Sequence, residues 1–154
     1  MDRLAQGGDP KKYHLPHAKV DGAPLDFSFS GLKTAALNLI HHAEQKQEAL
    51  DLPSFAASFA GAVAQELVPR AMMAADQLGY GKIAAAGGVA ANSTIRSDLE
   101  RACRNRGVQL YLPSLSLCGD NGAMIGCQAY YEYQAGHTGD FSLNGYANRL
   151  IDIG

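Results

Sequence analysis

Long apolar runs are missing from this sequence. No stretch approaches the roughly 18 apolar residues of a membrane-spanning helix, and the opening segment MDRLAQGGDPKKYHLPH lacks the apolar core of a signal peptide. Cysteine is scarce. Cys103, Cys118 and Cys127 are odd in number and show no CxxC or ribbon spacing, which excludes a disulfide framework and points to reduced thiols in a reducing cytosol. An excess of one charge is missing too: the formal net charge of −2 excludes nucleic-acid binding through the overall field, while leaving room for a local basic face. Tryptophan is absent. So are HExxH, GxSxG and Walker patterns, and with them the usual parts of metalloprotease, esterase and P-loop chemistry. The expectation is a soluble, cytoplasmic protein without a membrane partner.

What is present suits one domain. At 154 residues, roughly 68–70% of the unfolded surface can be buried. The composition is 47% hydrophobic and 18% charged, and only the 17 glycines are generous. Residues 1–24 read as a helix end followed by loop, and LDFSF (25–29) alternates with the period of a half-buried strand. Leu32, Ala35, Ala36, Leu39 and Ile40 recur at helical spacing and predict a helix over 31–47. Asp51 as N-cap, Pro53 in the first turn and Gly79 as stop frame a second helix, with Phe55, Phe59, Val63, Leu67 and Ala71 as its apolar stripe. Pro69 is expected to bend or interrupt it. A short apolar strand (82–86) then meets Gly87-Gly88, and a helix (about 92–106) ends at Gly107. A strand (108–112) and a last helix from Gly122 to about Ala135 follow. The order predicts an α/β fold in which helices cover a sheet, with no internal boundary over 1–154.

Two segments can carry chemistry. In AAAGGVAAN, two glycines after a buried strand let backbone approach a ligand, and Asn92 can hold a hydroxyl, base or phosphate oxygen. The competing reading is a tight turn with Asn92 or Ser93 as helix cap. In CGDNGAMIG, Asp120 and Asn121 stand where a helix begins, either as caps or as a presented carboxylate. One carboxylate does not make a metal site, since zinc takes three or four ligands. On the residues alone, both segments are better explained by capping. The histidines do not complete a ligand set. His41 and His42 point about 100° apart on a helix, His14 and His17 flank Pro16 in a loop with nothing to order them, and His137 lies in the tail. Arg96, Arg101, Arg104 and Arg106, interleaved with Asp98 and Glu100, read as a solvated helix face, with RNA phosphate binding as the sharper alternative.

Taken together and in order, LDFSFSGLKTAALNLI (25–40), AAAGGVAANSTIRSDL (84–99) and LCGDNGAMIG (117–126) resemble the tRNA adenosine threonylcarbamoyltransferase family, formerly described as O-sialoglycoprotein endopeptidases. The resemblance covers nearly all of this chain and about the C-terminal half of the family. It implies a ribonuclease-H-like half of the actin-like ATPase and sugar-kinase superfamily fold. It also implies an acyl transfer from threonylcarbamoyl-adenylate to N6 of the adenosine beside the tRNA anticodon. By resemblance, Asn92 contacts the adenylate, Gly87 and Gly88 line it, and Asp120 is a ligand of one divalent metal, iron rather than zinc. Partner subunits of the synthesis complex are implied as well.

The departures are equally informative. The family's other two metal ligands form a helical HxxxH pair, and that pattern does not occur here. The glycine-rich segments preceding GDP (8–10) in the family are also missing, so 1–154 is expected to be a single C-terminal domain, incomplete at its N-terminal side. A sheet without its first strands leaves an unpaired apolar edge, and the chain alone is expected to be inactive and poorly soluble. A rival from another class is a non-catalytic, dimerising paralogue of the same tRNA-modifying complex, although a scaffold has no need of the Asp120 carboxylate.

Overall fold

In the computed structural model of the protein, residues 1–17 and 22–145 are described. By its contacts the chain falls into two units, 1–119 and 120–154.

In the first unit a one-turn helix α1 (Asp2–Ala5) precedes α2 (Ser30–Lys46), α3 (Leu52–Leu78), β1 (Lys82–Ala84), α4 (Ser93–Arg106) and β2 (Gln109–Tyr111). Helix α3 starts because the Asp51 side chain accepts the Ser54 amide, and it stops at Gly79, whose φ of 70° is left-handed. Gly107, with φ of 69°, ends α4 in the same way. β1 and β2 pair in parallel, with Ile83 opposite Leu110. Among the described residues they form a two-stranded sheet, each strand with one edge unpaired.

Two packed clusters hold this unit. Leu15, Leu32, Ala36, Phe55 and Ala62 join α2 to the first half of α3. Val68, Met72, Leu99 and Cys103 join its second half to α4, with Ile83 and Leu110 of the sheet against them. Burial pushes the Cys103 thiol above its usual pKa. The cysteines at 103, 118 and 127 are all free thiols.

The loop before α2 is clamped onto α3. The Asp9 amide donates to Ser54 Oγ at 3.0 Å, the Tyr13 amide donates to Ser58 Oγ at 3.2 Å, and Ser58 Oγ donates to the Asp9 carbonyl. Both serines are buried, so their hydroxyls are satisfied by the loop's own backbone. Gly8 makes this contact possible, because a Cβ there would overlap the Pro53 carbonyl.

Three expectations need correction. Residues 25–29 form no strand; the alternation instead places Phe27 and Phe29 on one side, where their rings stack. Pro69 does not interrupt α3, which runs through it. Its ring faces solvent, and Arg70 Nη1 donates to the Glu66 carbonyl in the same turn. The apolar stripe of α3 is part of a wider packed surface: Phe55 is buried and Phe59, Val63, Leu67 and Ala71 are half-buried, while Ala56, Ala60, Ala64, Val68, Met72 and Ala75 are buried beside them. Finally, the strand at 82–86 spans three residues and is not buried, since Lys82 and Ala84 are exposed.

The second unit contains α5 (Gly122–Gln134), followed by irregular chain to residue 145. The remainder of the tail, 146–154, lies outside the described residues.

Candidate functional site

The chain leaves β1 and turns at Gly87, whose φ of 87° and ψ of 173° lie in a region essentially restricted to glycine. Gly88–Ala91 then make a single 3-10 turn, closed by the Asn92 amide donating to the Val89 carbonyl at 3.1 Å. Asn92 begins α4: its Oδ1 accepts the Ile95 amide at 3.1 Å. Its side-chain amide nitrogen is left to donate elsewhere. Asn92 is therefore the helix cap, and capping leaves half of its polar group available.

A cavity of about 390 Å³ opens at this turn, within the size range of small-molecule sites. Its walls include Gly88, Val89, Asn92, Phe59, Val63 and Asp2. Gly88 and Asn92, two of the three residues expected around the adenylate, come together in this cavity. Gly87 sets the turn and does not line the wall. Sequence reasoning missed Asp2. Its carboxylate accepts both the amide (3.0 Å) and the hydroxyl (2.8 Å) of Ser93, which brings it beside Asn92. No local pattern announces that contact, because the partners are 91 residues apart. The cavity thus presents an amide donor, a carboxylate acceptor, closely approachable glycine backbone and apolar walls, which suits a ligand with hydroxyls, an oxyanion and a flat ring.

In the second unit Asn121, rather than Asp120, caps the helix. Asn121 Oδ1 accepts the Met124 amide at 3.0 Å. Asp120 is exposed and makes no hydrogen bond or ion pair with another described residue. It lines a cleft of about 410 Å³ with Asn121, Gly122, Met124 and Ile125. Among the described residues, no three His, Cys, Asp or Glu side chains stand together as a metal site. A lone exposed carboxylate does not fit the three or four ligands that a bound zinc needs.

Three of the four arginines resolve into structure. Arg101 pairs with Asp98 at 2.7 Å, Arg106 pairs with Asp76, and both terminal nitrogens of Arg96 donate to the Pro113 carbonyl. His17 is ordered, contrary to expectation: its Nδ1 meets Glu66 Oε1 at 3.1 Å. His41 and His42 are both exposed, and His137 pairs with Glu132.

A family model described as tRNA N6-adenosine threonylcarbamoyltransferase matches residues 1–127. Proteins of that name from three bacteria are similar to this chain. The one from Moorella thermoacetica is 43% identical over 94% of the chain and 42% of its own length. That from Staphylococcus saprophyticus is 41% identical over 99% of the chain and 44% of its own length. The Clostridium beijerinckii protein is 40% identical over 96% of the chain and 44% of its own length. The chain therefore spans less than half the length of the curated relatives it matches. It belongs to the tRNA N6-adenosine threonylcarbamoyltransferase family, and its mixed α/β architecture with a small parallel sheet is part of that family's actin-like ATPase fold.

Proposed function

We propose that these residues supply the adenylate pocket of an enzyme that transfers a threonylcarbamoyl group from threonylcarbamoyl-adenylate to N6 of the adenosine next to the tRNA anticodon. The observation that carries the reading is the convergence of Gly88, Asn92 and Asp2 in one cavity. The Asn92 amide donates to an oxygen of the adenylate, Asp2 accepts from a ribose hydroxyl, and Phe59, Val63 and Val89 pack against the base. In the transfer, N6 bonds to the carbamoyl carbonyl carbon while that carbon's bond to the phosphate oxygen breaks. AMP departs with the electron pair and N6 gives up a proton. Holding the adenylate rigidly is the share of this work that the described residues can do.

The domain is proposed as a C-terminal part of the enzyme, acting in the cytoplasm with partner subunits. Asp120 is proposed to give one carboxylate to a divalent metal, iron rather than zinc, with the remaining ligands drawn from outside these 154 residues. The described residues do not complete that site, so the chain alone is taken to be inactive. The test offers the purified chain the adenylate and tRNA. Binding of the adenylate without modified nucleoside is expected. Failure to bind it overturns the pocket, and modified nucleoside overturns the inactivity.

A further inference from the structure

Beside the Asn92 cavity lies a second groove of about 640 Å³, walled by Phe29, Lys33, Phe59, Val63, Leu67 and Val89. Phe59, Val63 and Val89 line both, so the two cavities share a wall. Phe29 stacks on Phe27, with ring centroids 6.2 Å apart and planes inclined by 13°. The two rings nevertheless remain 38% and 48% exposed. The Arg70 guanidinium sits 5.9 Å from the Phe27 centroid. Partly exposed aromatic faces backed by cations are what unstacked RNA bases pack against.

The charges around the groove single out one side chain. Arg70 is ion-paired with Glu66, and Asp26 lies next to Phe27 in the chain. Lys33 forms no ion pair with another described residue and is exposed. Among the described residues that wall the groove, it is the available cation.

We propose that this groove seats the acceptor nucleoside of single-stranded RNA, with its base against Phe29 and the Phe59–Val63 floor, and a neighbouring phosphate on Lys33. The proposal rests on the adenylate reading above and adds the place of the second substrate. Two nucleotides that exchange a group must occupy adjoining cavities, and a base can offer its exocyclic amine only when it is out of the stack. The second cavity combines an apolar, aromatic wall with the exposed Lys33 ammonium.

The experiment titrates the chain with an anticodon stem–loop RNA and, separately, with a non-hydrolysable threonylcarbamoyl-adenylate analogue. It uses wild type, Phe29→Ser, Lys33→Ala, Lys33→Glu and the distant Arg101→Ala. Phe29→Ser is expected to weaken RNA binding at least ~5-fold, and Lys33→Ala to lower the salt slope by about 1. Lys33→Glu should weaken RNA binding further. All three should leave the analogue's affinity unchanged, and Arg101→Ala should alter neither ligand. Lys33 is exposed, so its variants keep the test decisive if Phe29→Ser fails to fold. RNA affinity equal in every protein overturns the groove, as does a wild type that binds the analogue but no RNA. A dimer that Phe29→Ser dissociates with RNA affinity unchanged assigns the groove to a second copy and likewise overturns it. A wild type that does not bind the analogue sinks the adenylate reading itself.

Discussion

Asp2 holds Ser93 through two hydrogen bonds, from the amide at 3.0 Å and the hydroxyl at 2.8 Å, and so ties α1 to the start of α4 beside Asn92. A carboxylate at that place satisfies a helix amide that has no partner within the helix and also faces the positive end of the α4 dipole. Asp2→Ala should lower stability by about 0.5–1.5 kcal/mol, because the contact is exposed and worth an ordinary hydrogen bond. If Asp2 also holds a ribose hydroxyl, adenylate-analogue affinity should fall about tenfold in the same variant. Urea unfolding and calorimetric titration read the two effects separately.

Asn121 and Asp120 should separate cleanly. Asn121→Ala removes the cap of α5 and should cost that helix about 0.5–2 kcal/mol, seen as faster hydrogen exchange of its amides. Asp120→Ala removes an exposed carboxylate without a described partner and should stay within about 0.5 kcal/mol of wild type. Equal losses in the two variants would mean that Asp120 shares the capping.

Gly8→Ala should destabilise the chain by about 1–3 kcal/mol, since the new methyl meets the Pro53 backbone and no flexible side chain can yield. The loop's bonds to Ser54 and Ser58 would be strained together. The denaturant midpoint checks this, and an unchanged midpoint would show that the loop shifts freely.

Acid should weaken the start of α3. Asp51 accepts a 2.7 Å bond from the Lys12 ammonium, and also the hydroxyl and amide of Ser54, which together lower its pKa from 3.8 to about 2. A carboxylate depressed in the folded state contributes stability above its unfolded pKa, and that contribution is lost as pH falls through the folded one. Thermal melting temperature should therefore fall more steeply between pH 4 and pH 2 in wild type than in Asp51→Asn, which keeps an oxygen for the cap but does not titrate. Parallel pH profiles would remove Asp51 from the account.

The fold was most legible where one residue suffices to set backbone geometry. Asp51, Gly79, Asn92 and Gly107 mark helix ends through local chemistry, and the observed helices begin and end at them. Legibility failed where the outcome depends on partners far along the chain. LDFSF has strand periodicity but, among the described residues, no neighbouring strand to pair with, and its phenylalanines stack on each other instead. Burial along α3 extends beyond the stripe to Val68 and Met72, because these meet Leu99 and Cys103 of α4, 31 residues further along the chain. His17 and Asp2 acquire roles only through Glu66 and Ser93, across 49 and 91 residues. Gly88 and Asn92 in the candidate site were legible for the opposite reason, since the turn between β1 and α4 gathers them locally.

The most direct measurement is calorimetric titration of Asn92→Asp with the threonylcarbamoyl-adenylate analogue, beside wild type. Aspartate keeps an oxygen for the Ile95 amide and so preserves the cap, but it loses the donor and adds a negative charge. The account predicts an unchanged melting temperature and an affinity at least about tenfold lower. Wild-type affinity in Asn92→Asp would show that Asn92 only caps the helix, and would contradict the adenylate pocket.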